Sequence, residues 1–372
     1  MTTRQRLDLL ASAHPRLFPR RGLLHLLRTE LGHVDALDAW VRRSGDSTRV
    51  RAQAPRLIYH LCAGNLAVSA WTSLAQGLLL GAHNVVKLPS ERDDSSAQRE
   101  ILDFIEALPE PLRPLVEVHP TLDPEILRRA DVVVAFGSDA TMQEIRAQTR
   151  WDQKFIAHGH ALSLLWMADP NELTSAQARA CAIDILTYDQ LGCLSPQAIY
   201  LPTATDFGAL SQKLCRALET HWRKLDPQPL RPLSVAARIV EARDLAHALG
   251  HRVWLPPNGH LGWTLIFDPD PTFRPSPLHG VIYLRPVDEA HIETALASVA
   301  GRISTVGIAG IGSKGKPSTG KLSSRLQTAF LNLGASRFCP AGHMQFPPLT
   351  WHHDGRASLG DLVRWIDAEP LA

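Results

Sequence analysis

Cys193 stands directly after Gly192 in the stretch Tyr188-Asp189-Gln190-Leu191-Gly192-Cys193-Leu194-Ser195-Pro196-Gln197. This is a polar turn between an apolar helical pattern over 178–186 and an apolar strand pattern over 198–201. A substrate can reach a cysteine at such a junction, and nearby backbone N–H groups lower a thiol's pKa, so the chemistry on offer is thiolate attack. The same residue type also fills turns as a small buried side chain, and spacing alone leaves both readings standing. A second feature is the turn Gly137-Ser138-Asp139, which opens a helical pattern over 140–148. Such a turn can hold a pyrophosphate on unpaired N–H groups at the positive end of the helix dipole. Alternatively, Ser138 or Asp139 simply caps the helix. Lys87, at a strand end, is either a solvated charge or, beside a nucleotide, a partner for ribose or phosphate oxygens.

The elements that must position these residues follow from the apolar periodicity. Helical patterns run over 4–13, 22–31 and 34–43, with many arginines on the polar face. A basic face of this kind is solvated, or it serves a membrane or a partner. From Arg56 strands and helices alternate. Strands are expected over 57–62, 85–88, 115–118 and 131–136, with helices over 66–80, 95–108, 124–130 and 140–148. Strand–helix alternation specifies a parallel sheet covered on both faces. Ligands of such sheets bind beyond the carboxyl ends of the strands, where Asn65, Pro89-Ser90-Glu91 and Gly137-Ser138 fall. Further on, helices over 206–225 and 232–250 alternate with strands over 261–267, 280–284 and 303–308, and a last helix is expected over 359–368. No G-x-G-x-x-G follows the first strand.

Composition bounds the answer. A chain of 372 residues exceeds what one core usually supports, so two domains are the default. Hydrophobic residues make up 45% and charged residues 20%, and the net charge of +2 gives no sign of a nucleic-acid partner. The five cysteines are widely spaced with no C-x-x-C pair, which argues against a disulfide framework or a zinc site and fits a reducing cytoplasm. The first residues lack the apolar core of a secretory signal. The longest apolar run, over 66–82, falls short of the ~20 residues of a membrane span.

Several ordered segments together carry a resemblance. They are His60-Leu61-Cys62-Ala63-Gly64-Asn65, Gly81-Ala82-His83-Asn84-Val85-Val86-Lys87-Leu88-Pro89-Ser90-Glu91, Ala135-Phe136-Gly137-Ser138, and Leu191-Gly192-Cys193-Leu194-Ser195-Pro196-Gln197. Cys339-Pro340-Ala341-Gly342-His343-Met344-Gln345 and Asp354-Gly355-Arg356 complete the series. From about Arg56 to near the C-terminus the chain resembles the aldehyde dehydrogenase superfamily, and within it the acyl-CoA reductase (LuxC-type fatty acid reductase) branch. The resemblance implies an α/β fold with a Rossmann-like cofactor domain and an α/β catalytic domain. The expected division is a helical lead-in over 1–55, an NAD(P)-binding domain over 56–168, a catalytic domain over 169–345 and a C-terminal segment over 346–372 near the active site. NADPH, with NADH as the other choice, would lie on the first domain, with Lys87, Ser90 and Glu91 at the adenosine ribose and Gly137 and Ser138 at the pyrophosphate. Cys193 would face it as the nucleophile, and Asn65 would help form the oxyanion hole.

Departures sharpen the expectation. Aldehyde-oxidising members carry a glutamate in a Glu-Leu-Gly-Gly-type segment that activates water. The corresponding stretch here, Phe155-Ile156-Ala157-His158-Gly159-His160-Ala161-Leu162-Ser163, has no carboxylate. Hydrolysis of an acyl-enzyme should then be slow, and His158 or His160 is either a general acid or base near neutral pH or a structural donor. No ribose-contacting glutamate stands around Ser276-Pro277-Leu278-His279-Gly280-Val281, and neither a projecting hairpin nor a late strand is legible. The Gly/Lys-rich segment over 310–322 lacks the Ser/Thr that a P-loop needs directly after its lysine; its lysines remain candidates for CoA phosphates. Trp351-His352-His353-Asp354 has no third ligand nearby in sequence, so no metal is expected and packing or a pocket wall is favoured. The expected reaction is NADPH-dependent reduction of an acyl thioester to an aldehyde in the cytoplasm. The substrate would be acyl-CoA or an acyl-carrier protein, with an acyl-supplying enzyme as a partner. The rivals are an aldehyde-oxidising or acyl-transferring enzyme using the same cysteine, and a non-catalytic partner-binding subunit.

Overall fold

The computed structural model describes residues 1–42, 47–64, 66–90, 95–225, 228, 231–310 and 322–369. They fall into two units, Met1–His160 with Pro348–Ala372, and Ala161–Pro347. The first unit begins with α1 (Thr3–Ala13), α2 (Arg20–Leu31), β1 (Val41–Arg42) and β2 (Arg49–Gln53). It continues through β3 (Leu57–Leu61), α3 (Ala67–Leu80), β4 (His83–Lys87), α4 (Ser95–Glu106), β5 (Val116–His119), α5 (Pro124–Arg129), β6 (Val132–Phe136), α6 (Asp139–Gln148) and β7 (Lys154–His158).

Strands β3 to β7 pair in parallel in the order β5-β4-β3-β6-β7. The two-residue side-chain period of a strand divides them between two cores. Ile58, Val86, Val132 and Val134 pack with the leucines of α1, α2 and α3, whereas Tyr59, Val85, Val133 and Ala135 pack with Ile126 and Leu127 of α5 and Met142 and Ile145 of α6. The chain runs outward from β3 to β5 and then returns to β6 on the other side of β3. That reversal leaves a crevice at the carboxyl ends of β3 and β6, where parallel sheets bind ligands.

The expected separate lead-in over 1–55 is instead part of this unit. Leu7, Leu10, Leu23 and Leu27 are buried in the same core as Leu74 and Leu78 of α3. Nor does Arg6 lie on a polar face. It is buried, its Nε donates to Leu79 O at 3.0 Å, and its Nη2 donates to Thr3 Oγ1 at 3.0 Å, so it satisfies the carbonyl end of α3.

Two expected helices are not helices. Within the expected helix over 34–43, the described residues 34–42 form turns and then β1, because Gly32 ends α2 in a left-handed conformation (φ 71°) and the local acids are drawn away. Asp35 binds Arg4 at 2.9 Å and Asp38 accepts the Thr3 N–H at 2.9 Å. The expected helix over 359–368 contains a strand, Arg364–Ala368, antiparallel to β2, which itself pairs antiparallel with β1. The otherwise open edge of β2 takes up the strand's backbone groups and overrides helix propensity. An antiparallel strand pair and a late strand, neither legible in the sequence, are therefore both present.

The second unit contains β8 (Leu162–Met167), α7 (Ser175–Leu186), β9 (Pro196–Leu201), α8 (Phe207–Trp222), α9 (Leu233–Ala248), β10 (Arg252–Trp254) and β11 (Thr264–Phe267). After these come β12 (Val281–Pro286), α10 (Ile292–Ala295), β13 (Ile303–Ala309), α11 (Ser324–Asn332) and β14 (Arg337–Pro340). The order β10-β11-β12-β9-β8-β13-β14 is parallel except for β10. One face packs on α7 and α8 through Cys181, Ile185, Leu214 and Leu218, and the other on α10 and α11 through Ile292, Leu326 and Phe330. The division after His160 falls earlier than the expected 168, because β8 is an interior strand of the second sheet, paired with β9 and β13. The C-terminal boundary falls at Pro347, and the segment beyond it joins the first unit.

Candidate active site

Cys193 lies in the turn between α7 and β9, after a tight segment, Thr187–Gln190, whose last three residues have positive φ. It is half-buried, and its carbonyl accepts the Ser163 hydroxyl at 2.7 Å. The Ser195 N–H donates to Gly192 O at 3.0 Å, and the Ser195 hydroxyl accepts from Gln345 Nε2 at 3.0 Å. The other four thiols are disfavoured as nucleophiles. Burial pushes Cys62 and Cys215 up to about 12 and Cys339 up to about 11, and raises Cys181 as well.

At the carboxyl edge of the first unit's sheet, the Gly137 N–H donates to His158 O at 3.2 Å, tying the β6–α6 turn to β7. Ser138 is the N-cap of α6, its Oγ accepting the Thr141 N–H at 3.2 Å, so the capping reading of this turn holds. Asp139, the first helical residue, accepts the His160 N–H at 3.0 Å, which fixes the exposed end of this unit. Lys87 ends β4, half-buried, and its charge works against the burial that raises the Cys62 thiol. Ser90 is exposed three residues further on. Asn65 and Glu91 lie outside the described residues, as does the Gly/Lys-rich segment from Ile311 to Lys321.

The topology therefore brings Gly137 and Ser138 to the switch point and places Lys87 and Ser90 on the adjacent strand's carboxyl end. A cation, an exposed hydroxyl and a helix N-terminus at one sheet edge are the donor types a dinucleotide requires, so the residues present fit such a group. The Asp139 carboxylate beside that helix start disfavours a second anion, and its hydrogen bond to His160 draws it toward β7.

His158, the last residue of β7, has a partner that the sequence hid. Its Nδ1 lies 2.8 Å from Asp354 Oδ2, 196 residues away. The ring stacks between Phe136 (4.7 Å, 14°) and His353 (4.2 Å, 19°). Burial acts to raise the Asp354 pKa, but the His158 hydrogen bond and the neighbouring charges outweigh it and hold the carboxyl below its usual value. Burial, with His158 beside it, drives His353 down to about 4, so His353 is a neutral wall at ordinary pH. Asp354 adopts a left-handed φ of 52°, a conformation kept only where its surroundings over-determine it.

The ligating atoms of His158, His353 and Asp354 lie within 4.8 Å of one another. Imidazole binds a metal in its ring plane, and two rings stacked 4.2 Å apart at 19° send those planes side by side rather than to a common point. The arrangement suits a carboxylate-oriented imidazole better than a chelate. A carboxylate accepting Nδ1–H leaves Nε2 as the proton-transfer atom.

Two buried histidine and carboxylate networks support the units. In the first, His60 is neutral, its Nδ1 2.7 Å from Ser73 Oγ and its Nε2 3.0 Å from Asn84 Oδ1, and burial lowers it to about 4. In the second, Asp184 on α7 accepts the N–H groups of Gly342 and Met344, and burial raises it to about 7 against those donors and Arg337. Gln345 joins Asp184 O to Ser195, so α7 and the β14 loop brace the cysteine turn. The described residues contain no helix long and apolar enough to cross a membrane.

A family model described as acyl-CoA reductase (LuxC) matches residues 2–365. The long-chain acyl-protein thioester reductase of Aliivibrio fischeri is 25% identical over 362 residues, covering 95% of this chain and 72% of its own. That of Photorhabdus laumondii is 27% identical over 364 residues with the same coverage. Among solved structures, the indole-3-acetaldehyde dehydrogenase AldA of P. syringae superposes with a TM-score of 0.68 at 13% identity, covering 99% of this chain and 84% of that one. Aldehyde dehydrogenase 21 of Physcomitrella patens gives 0.65 at 14% identity, with 99% and 86% covered. The fold is that of the aldehyde dehydrogenases.

Proposed function

We propose, from the premise that this chain belongs to the acyl-CoA reductase (LuxC) family, that it reduces an acyl thioester to an aldehyde with NADPH through an acyl group held on Cys193. The observation that carries this reading is the separation of the thiols. Four are raised by burial, and the fifth stands in a braced, half-buried turn immediately after a glycine.

In the second unit, the Cys193 thiolate attacks the thioester carbonyl, the new C–S bond forms, and the carrier thiol leaves with a proton. The Cys193 N–H and the Asn65 side-chain amide stabilise the oxyanion, and one such donor is commonly worth ~10²–10³ in rate. In the first unit, Lys87, Ser90 and Glu91 would hold the ribose end of NADPH, and Gly137 and Ser138 its pyrophosphate. When bound there, the nicotinamide would supply the hydride that reduces the acyl carbon. Collapse of the resulting thiohemiacetal returns the Cys193 thiolate and releases the aldehyde. His158, oriented by Asp354, moves the proton, and the lack of a carboxylate in the 155–163 stretch keeps water from taking the acyl group. His160, exposed and bound through its N–H to Asp139, is the weaker candidate for that role. The names of the curated relatives favour a long acyl chain delivered by a protein, with CoA as the alternative carrier.

The test is NADPH oxidation with a panel of CoA- and carrier-protein-linked acyl thioesters, with the aldehyde trapped, in wild type and Cys193→Ala. Aldehyde from wild type alone supports the reading. No turnover and no cofactor binding with any thioester would overturn it in favour of a non-catalytic subunit.

A further inference from the structure

Two left-handed turns in the second unit are fastened to each other by side chains that the proposed chemistry leaves unused. Tyr188, Asp189 and Gln190 have φ of 56°, 52° and 63°, and Leu278, His279 and Gly280 have φ of 67°, 55° and 84°. Five of these six carry a side chain, and runs of such residues persist only where the surroundings impose them. The surroundings are on view. Asp189 Oδ2 receives Arg231 Nη1 at 2.7 Å and the His279 Nδ1–H. Arg231 also donates to Leu261 O at 3.3 Å and His279 O at 3.4 Å, and its guanidinium lies 5.3 Å over the Trp222 ring.

Gln190 makes the second fastening. Fully buried, it accepts the Gly280 N–H at 2.9 Å and donates to Val281 O at 3.1 Å and Pro196 O at 2.8 Å. The last of these bonds closes residues 190–196 into a ring with Cys193 inside it. At Gly280 a Cβ would stand 2.4 Å from Gly262 O, so the opposing turn is itself pinned against backbone.

We propose that Asp189, Gln190, Arg231 and His279 are positioning residues that hold the Cys193 loop in its reacting geometry. This rests on the reading of Cys193 as the nucleophile. Relaxation of 188–190 to ordinary right-handed angles would re-aim the chain three residues before the thiol, and a misplacement of about 1 Å commonly costs ~10² in rate. The clamp depends on charge as well as shape, because Asp189 and Arg231 are both largely withdrawn from solvent and each loses its partner if the other is neutralised.

The experiment compares wild type, Asp189→Asn, Arg231→Lys and the core control Leu284→Ala. It reads the alkylation rate of Cys193 by iodoacetamide (by peptide mass), kcat and KM for an acyl thioester, NADPH affinity, and thermal stability. Asp189→Asn is expected to lower both the alkylation rate and kcat by ~10–100-fold, with KM and NADPH affinity unchanged. Arg231→Lys, which keeps the charge but loses the fork, should fall between. Leu284→Ala, buried in the same unit's core, should lose stability while keeping its alkylation rate. An Asp189→Asn protein that loses stability but alkylates at the wild-type rate would overturn the clamp. If Asp189→Asn does not fold, Arg231→Lys carries the same comparison. Should wild type form no aldehyde from any thioester, the reaction assignment falls, while the alkylation rates still decide the clamp.

Discussion

His158 and Asp354 come from the two separate chain segments of the first unit and meet through an Nδ1–Oδ2 distance of 2.8 Å. The C-terminal segment thus supplies the carboxylate that selects the tautomer of a histidine at the end of a parallel strand. Asp354→Asn removes that selection while keeping the shape. Its kcat should fall by ~10²–10⁴ with little change in KM, as in other oriented-imidazole enzymes. His158→Asn should fall by a similar factor, and the double variant no further. Steady-state kinetics on the three proteins check this, and independent, multiplicative losses would argue that the two residues do not act as a unit. Treatment with a chelator should leave the rate unchanged, because the stacked rings of His158 and His353 do not converge on a metal.

Thiol labelling should single out one cysteine. At pH 7.5, iodoacetamide should modify Cys193 first in the folded protein, and Cys62, Cys181, Cys215 and Cys339 only after unfolding. Burial raises the pKa of all four, so their thiolate fraction is very small, and it also shields Cys62, Cys181 and Cys339 from the reagent. Peptide mapping over a time course reads the order. Equal labelling of Cys215, the other half-buried thiol, would weaken the assignment of Cys193.

Stability should respond to pH with two opposing slopes. His60 titrates at about 4 in the folded protein against an ordinary value near 6.5, so its contribution is complete above the unfolded value and is lost as pH falls through about 4. Asp184 is raised to about 7, so its contribution is complete below the ordinary carboxylate value and is lost as pH rises through about 7. Each is worth on the order of a few kcal/mol across its window. Asp184→Asn should lower the stability curve and remove its falling contribution between pH ~4 and ~7, leaving the rise with pH from His60 unopposed. Thermal unfolding across that range measures it, and an unchanged slope would remove Asp184 as the cause.

Gly77→Ala should be disproportionately damaging for so small a change. An added Cβ would stand 1.8 Å from Asn84 Oδ1, the atom that pairs with His60, and 3.3 Å from Ile58 Cδ1. Overpacking combined with a broken buried hydrogen bond should cost about 2–4 kcal/mol. Denaturant unfolding of the variant tests this, and a loss no larger than that of an exposed substitution would show that α3 and β4 can move apart.

Cofactor choice should depend on Lys87. If its ammonium meets a 2′-phosphate, Lys87→Ala should weaken NADPH by ~10-fold and leave NADH nearly unchanged. Equal weakening of both would place the lysine elsewhere on the dinucleotide, and no change in either would remove it from the cofactor site.

By itself the sequence determined the alternating strands and helices, the position of Cys193 in a turn before β9, and the Gly137-Ser138 turn at a helix start. These are local: a two- or 3.6-residue apolar period and a cap each need only a few neighbours along the chain. Tertiary structure decided what local pattern could not. Residues 364–368 became a strand because β2 offered an edge, against their helical periodicity. His353 and Asp354 gained a third partner only when β7 carried His158 to them, and adjacent residues give no warning of a contact 196 positions away. Asp189 and His279, 90 residues apart in two left-handed turns, met for the same reason. Polar pairing over such distances is set by how the strands order themselves in a sheet, and strand order is a property of the whole core rather than of any one segment.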